Sequence, residues 1–187
     1  REYLFMVIDD HSRRDLASLL VPSMTTAAAI STIKMAIHNT GKIPEIIKSD
    51  RGSQFKKRFS IFVEGLGAYH LKSIPYYPYC NAKIERVFLD VENHVVSCIT
   101  PFTTRGELLL MLTEEAYLHN SIRPHLGIGG LTPDERYFGF EDEIIRRMDA
   151  FKSQYYAKPK KQKTWKMVPV TEFIPGAKCA HSVRIFS

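Results

Sequence analysis

The sequence predicts an α/β fold, a sheet covered by helices. Three observations point there. Two strand-like apolar runs near the start are joined by a short polar turn. From residue 25 onward, segments with helix spacing alternate with short strand-like ones. After residue 81 the apolar residues recur at helical intervals.

Tyr3-Leu4-Phe5-Met6-Val7-Ile8 is an unbroken aromatic and branched run, expected to form a strand buried on both faces. Asp9 to Arg13 is a polar turn. Leu16–Val21 returns as the second arm of a hairpin, and Pro22 ends it. Thr25 to Asn39 places Ala29, Ile30, Ile33, Ala36 and Ile37 on one helix face, with Ser23 or Thr25 as cap and Gly41 as stop. Ile46-Ile47 reads as a short buried strand ending in Ser49-Asp50. Ser53–Leu66 reads as one helix with Phe55, Phe59, Phe62, Val63 and Leu66 inward and Gly67 as stop. Tyr69–Ile74 alternates like a half-buried strand, and Pro75 and Pro78 bracket a stiff loop.

Asn81–Ser97 carries Ile84, Val87, Phe88, Val91 and Val95 as a helical stripe. A fourth helix is expected from about Thr104 to Asn120, with Leu108, Leu109, Leu112 and Ala116 inward. Thr132-Pro133-Asp134-Glu135 has the form of a helix start. Residues 157–166 form a lysine-rich linker. Met167–Val170 and Val183–Phe186 read as short strand-like pieces. The expected division is a core with its following helices over residues 1–150 and a basic linker and tail over 151–187.

The net charge of +6 is unevenly placed. Residues 1–150 hold 18 Lys/Arg against 19 Asp/Glu, and residues 151–187 hold 8 against 1. A basic tail on a neutral domain suits a polyanion such as nucleic acid, or is simply solvated. No apolar run approaches the roughly 18 residues of a membrane helix, and the start has no signal-peptide pattern. The expected compartment is therefore the cytoplasm, with nucleoid association in a prokaryote. Cys80, Cys98 and Cys179 lack metal or disulfide spacing and are expected to be reduced packing residues.

Two carboxylates stand out. Asp50 follows a strand and precedes a helix, where ligands gather at the carboxyl ends of α/β sheets, and Gly52 is expected to let the chain turn sharply. Glu85 sits in the first turn of its helix beside the apolar stripe. Taken singly, each reads more simply as a turn residue or a first-turn glutamate favoured by the helix dipole.

The segments Ser49-Asp50-Arg51-Gly52-Ser53-Gln54-Phe55 and Asn81-Ala82-Lys83-Ile84-Glu85-Arg86 stand with 34 residues between the two carboxylates. With Val7-Ile8-Asp9-Asp10-x-Ser12-Arg13, and with His119-Asn120-x-x-Arg123-Pro124-His125 followed by Leu131-Thr132-Pro133, they resemble the integrase catalytic core shared by retroviral integrases and insertion-sequence transposases. The resemblance covers roughly residues 3 to 138.

It implies a ribonuclease H-like fold, a mixed five-stranded sheet with helices on both faces, lacking its first strand here. It implies a Mg²⁺- or Mn²⁺-dependent strand transferase for DNA integration and transposition. Asp50 and Glu85 would each ligate one of two ions. The family's first aspartate belongs on a strand before Tyr3. Asp9 and Asp10 are poor substitutes, so the chain is expected to be inactive as given. The alternatives are a non-catalytic DNA-binding or assembly module and another ribonuclease H-like nuclease. DNA contacts are expected from Arg51, Lys83, Arg86, Lys158, Lys160, Lys161 and Lys163, and self-association on DNA from the family's multimers. Tyr76, Tyr77 and Tyr79 could stack on bases or pack under their loop. Lys56, Lys57 and Arg58 read as a solvated helix face, Arg123 as a helix-end anchor, and the histidines as structural. Where the family often places a basic residue two turns beyond the glutamate, this chain has Glu92, with Asp90 close by.

Overall fold

The computed structural model describes residues 2–75 and 81–156. The chain divides into two compact units, Arg1–Ile144 and Ile145–Ser187.

The first unit opens with strands β1 (Tyr3–Ile8) and β2 (Asp15–Val21), an antiparallel hairpin in which Phe5 faces Leu19 and a bulge falls between Val7 and Ile8. Asp9 shapes the turn: its Oδ2 accepts from both the amide and the hydroxyl of buried Ser12, each at 2.7 Å. Asp side chains favour such turns because they substitute for a backbone acceptor. Arg13 takes the left-handed conformation that closes the turn, φ 71°.

Helix α1 (Thr26–Thr40) is capped by Thr25, whose hydroxyl accepts from Ala28 N. It is stopped by Gly41 at φ 66°, which donates to the Ile37 carbonyl. Strand β3 (Ile46–Ser49) pairs in parallel with β4 (Tyr69–Lys72), Ile47 beside His70 and Ser49 beside Lys72. Between them a 3-10 turn (Ser53–Phe55) precedes helix α2 (Lys57–Gly65). The expected single helix is thus broken at Lys56, which adopts extended backbone.

Phe5, Ala29, Ile33, Ile47, Phe59, Val63 and Ala68 form one core. Phe5 of β1 and Ile47 of β3 both enter it beside α1 and α2. The two strand pairs nevertheless form separate two-stranded ladders, one antiparallel and one parallel, among the described residues. Burial departs from expectation at three strands. In β1 only Phe5 is buried, β3 buries alternate residues, and β4 is mostly exposed, with Tyr69 65% exposed. A strand in a two-stranded ladder presents one face to the helices and leaves the other to solvent, so a continuous apolar run does not ensure two-sided burial.

Helix α3 (Ala82–His94) continues into a 3-10 turn (Val96–Cys98). It buries Val87, Val91 and Val95 as expected, together with Asp90, while Phe88 is 36% exposed. Helix α4 (Arg105–Tyr117) starts at a Thr104–Glu107 capping box and runs into a π-helical turn (Leu118–Ile122). Its fully buried residue is Glu115; of the four residues expected inward, Leu108, Leu112 and Ala116 are half-buried and Leu109 is 44% exposed. Glu115 pairs with Arg123 and His94, while Leu112 and Ala116 line the same small space as Met6, Val87 and Val91. A further 3-10 turn (Leu126–Ile128) leads to helix α5 (Pro133–Tyr137), which has the expected Thr132 cap and Pro133 in its first turn. Helix α6 (Glu141–Tyr156) follows.

In the second unit the described part is the body of α6, where Lys152 and Asp149 pair at 3.4 Å and Phe151 is 70% exposed. The lysine-rich linker, Trp165 and the two tail pieces lie outside the described residues, as do Tyr76, Tyr77, Pro78, Tyr79 and Cys80. Cys98 is a free thiol but exposed, so it is not the packing residue expected.

Candidate active site

Asp50 follows the last residue of β3, and Glu85 lies in the first turn of α3. Their positions are joined by backbone-directed hydrogen bonds. The Ser49 carbonyl accepts from the Ser73 amide at 2.8 Å and from the Ser73 hydroxyl at 3.0 Å. The same buried hydroxyl lies 2.6 Å from Asn81 Oδ1, so its single hydrogen is shared between the two acceptors. Asn81 begins α3, and its carbonyl accepts from the Glu85 amide at 3.0 Å. Ser73 therefore ties the carboxyl ends of the parallel pair to the helix that carries Glu85. Both carboxylate residues are exposed. Asp50 Oδ1 accepts from Gly52 N at 2.7 Å.

Gly52 is not there for a sharp turn. Its φ is an ordinary −54°, but a Cβ would come within 2.4 Å of the Gln54 side-chain nitrogen. The glycine makes room for buried Gln54.

The basic residues expected beside the carboxylates are engaged within the chain. Arg51 Nε donates to the Ser73 carbonyl at 2.9 Å. Lys83 Nζ pairs with Asp10 Oδ2 at 2.6 Å, joining the hairpin turn to the start of α3. Arg86 pairs with Asp90 at 3.3 Å. The bond from Lys83 holds the Asp10 carboxyl below its usual range. Asp9 is engaged by Ser12 and Asp10 by Lys83, so neither hairpin aspartate is aligned with Asp50 and Glu85 by a bond of this network. Lys56, Lys57 and Arg58 are exposed, as a solvated face requires.

The segment after α4 is a clasp. Asn120 Oδ1 accepts from Asp15 N at 2.8 Å and its Nδ2 donates to Asp15 O at 3.0 Å, imitating a strand partner for β2. His119 Nε2 donates to the Arg13 carbonyl at 2.9 Å. Arg123 grips both oxygens of Glu115, at 2.5 and 2.9 Å, and His94 approaches the same carboxylate at 3.2 Å. Burial, the largest single influence on Glu115, would raise its pKa. The bonds from Arg123 and His94 outweigh it, and the net displacement is downward. Asp134 takes Arg14 and the Ser121 hydroxyl, both at 2.5 Å. Arg123 is thus a structural anchor.

Sequence reasoning quoted Ser49 and Asn81 within the motif segments without a role and missed His70 and Ser73 as site neighbours. The signal was faint: small polar residues at the carboxyl ends of two strands.

Residues 1–78 match the family model of the integrase core domain. The matched segment includes Asp50, and Glu85 lies just beyond it. The fold is that of solved retroviral integrase catalytic cores. The catalytic core of BIV integrase is 22% identical, with a TM-score of 0.57 over 76% of this chain and 89% of that one. The HTLV-2 integrase catalytic core, solved with magnesium in a trimeric form, is 20% identical, with a TM-score of 0.56 over 71% and 82%. A chain of the simian T-cell lymphotropic virus intasome in complex with PP2A regulatory subunit B56 gamma is 20% identical, with a TM-score of 0.62. The match covers 71% of this chain and 47% of that one, so the protein spans less than half of that relative's length. A comparison with curated proteins finds no match. No described helix is long and apolar enough to cross a membrane.

Proposed function

We propose that this chain is a catalytic core of a DNA-integrating recombinase, a transposase or integrase acting on the ends of a mobile DNA element. One observation supports the reading: within an integrase-like fold, the Ser49–Ser73–Asn81 bonds link the strand end before Asp50 to the start of the helix that carries Glu85, and both residues are exposed. The reaction is in-line displacement at phosphorus. A P–O bond to the attacking hydroxyl forms as that hydroxyl loses its proton, and the P–O bond to the leaving oxygen breaks. In strand transfer the attacker is the freed 3′-hydroxyl and the target is a second DNA.

Asp50 and Glu85 offer hard oxygen donors of the kind Mg²⁺ takes, since that ion keeps several waters and binds through one or two carboxylates plus substrate phosphates. Mg²⁺ or Mn²⁺ held there, as two ions in the family's manner, would activate the attacking oxygen and neutralise charge on the leaving one. Arg51, Lys83 and Arg86 border the carboxylates and would meet DNA phosphates, with Lys158, Lys160, Lys161 and Lys163 extending the contact. Five phosphate contacts from the tail lysines, Lys166 included, would give a log-log salt slope of about −4 to −5. Self-association on paired DNA ends is supported by the apolar exposure of Phe102 (90%) and Leu110 (71%).

A second reading, a non-catalytic DNA-binding or assembly module, is favoured by a different observation. Among the described residues no three His, Cys, Asp or Glu side chains converge as a metal site. A nicking assay on labelled duplex DNA with Mg²⁺ or Mn²⁺ separates the two. Nicking that disappears in Asp50→Asn and in Glu85→Gln supports the enzyme. Salt-sensitive DNA binding without nicking supports the module.

A further inference from the structure

His70 sits on β4 with both ring nitrogens engaged. Nε2 lies 2.8 Å from Ser49 Oγ on β3, and Nδ1 lies 2.8 Å from Ser60 Oγ on α2. The ring also meets Phe59 edge-on at 5.1 Å. Ser49 Oγ has one hydrogen, and it goes to the Asp50 carbonyl at 2.9 Å. Ser49 must then accept from His70, which places the ring proton on Nε2. The bare Nδ1 in turn accepts from the Ser60 hydroxyl. Burial, the main influence, and Lys72 push the imidazole towards its neutral form against an opposing pull from Glu64. The neutral ring matches one donor and one acceptor nitrogen.

Three bonds therefore run in one direction: Ser60 hydroxyl to His70 Nδ1, His70 Nε2–H to Ser49 Oγ, and Ser49 hydroxyl to the Asp50 carbonyl. Hydrogen bonds aligned head to tail polarise one another. The relay ends on the main chain of Asp50, while the Asp50 carboxylate is held separately by Gly52 N. The carbonyl orients the Asp50–Arg51 peptide plane, one residue before the Gly52 amide that clamps the carboxylate.

We propose that His70 is a positioning residue for Asp50, acting through Ser49 from an anchor at Ser60. It touches neither substrate nor metal. The proposal rests on the reading of Asp50 as a site carboxylate, but its test needs neither DNA nor metal. If nicking is absent while the results below hold, the catalytic reading fails and the positioning relay stands.

The first measurement is long-range ¹H–¹⁵N NMR of the histidine-labelled chain. His70 should carry its proton on Nε2 and none on Nδ1; the opposite tautomer would break the relay. The second is amide exchange at Gly52 in His70→Leu, His70→Gln and Ser49→Ala, referenced to core amides of Ile33 and Val63. Loss of one net hydrogen bond should speed Gly52 exchange up to about tenfold in His70→Leu. Ser49→Ala should reproduce this with His70 intact. His70→Gln, which retains a donor near Nε2, should restore slow exchange. Unchanged Gly52 exchange in both His70→Leu and Ser49→Ala would overturn the proposal and leave His70 as a pin between β4 and α2. If His70→Leu fails to fold, Ser49→Ala alone decides.

Discussion

Two regions of this protein use carboxylates in opposite ways. At the carboxyl end of β3 and β4, Asp50 and Glu85 are exposed, and the surrounding bonds are made by serines, an asparagine and main-chain groups. In the clasp between the hairpin and the 119–134 segment, Glu115 is 5% exposed and is held by Arg123 and His94, while Asp134 takes Arg14 and Ser121. A carboxylate whose oxygens already accept from arginine has little left for a cation. One held by a backbone amide at a single oxygen keeps the other available. The same kind of side chain is tied into the fold in one place and left accessible in the other.

The contrast breaks most sharply at Glu115. Glu115→Ala leaves a partly buried Arg123 without its carboxylate, and the expected loss is about 1.5–3 kcal/mol of unfolding free energy, read by denaturant titration. Asp50→Asn, in contrast, should leave that free energy within about 0.5 kcal/mol of the parent. Equal losses in the two variants would erase the distinction.

The clasp should also show opposed pH responses. Glu115 is held below its unfolded value, so its contribution is complete above that value and is lost as pH falls through its folded pKa. Burial holds Asp15 above its usual value, with Ser18 and His119 opposing. Protonation of Asp15 therefore favours the folded chain, and its contribution improves as pH falls and weakens as pH rises through the folded pKa. Its Oδ1 and His119 Nδ1 are both buried without a partner. Asp15→Asn should match or exceed the parent's stability at neutral pH by about 1 kcal/mol and steepen the loss of stability in acid. Unfolding titrations across that range read both.

A smaller loss is expected at the start of α5. Thr132→Ala removes the capping hydroxyl and should cost about 1 kcal/mol. The smallest effect lies at the site. Asp10 and Lys83 form an exposed pair, and such pairs contribute roughly 0.2–1 kcal/mol, so Asp10→Ala should tighten duplex DNA binding by no more than about fivefold. The gain should vanish in a Lys83→Ala background. Unchanged or weaker anisotropy-measured affinity in Asp10→Ala would remove Lys83 from the DNA surface.

Much of this was legible in the sequence. Gly41 announced the end of α1 and left Ser23 or Thr25 for its start, where the structure has Thr25; Thr132-Pro133 announced α5, and the Phe59 and Val63 spacing announced the buried face of α2. These are local matters of period and capping, which neighbouring residues decide. The candidate carboxylates were also legible, as a strand end and a first helical turn at a family-like spacing.

Pairing and partner choice were not. Periodicity found the strands but could not say that they form two separate ladders, because edge pairing depends on which strands meet in space. Nothing in the spacing of α4 marks Glu115 as its buried residue, since the reason is Arg123 beyond the end of that helix. His70 reads as one polar residue in a short strand until Ser49 and Ser60 arrive from β3 and α2. The chain by itself marked most of its elements, several of their caps and the two carboxylates as candidates, but not the break at Lys56 or helix α6. Tertiary structure alone decided which charges are neutralised and which stay available, because ion pairs and hydrogen bonds of this range depend on distances that sequence separation does not contain.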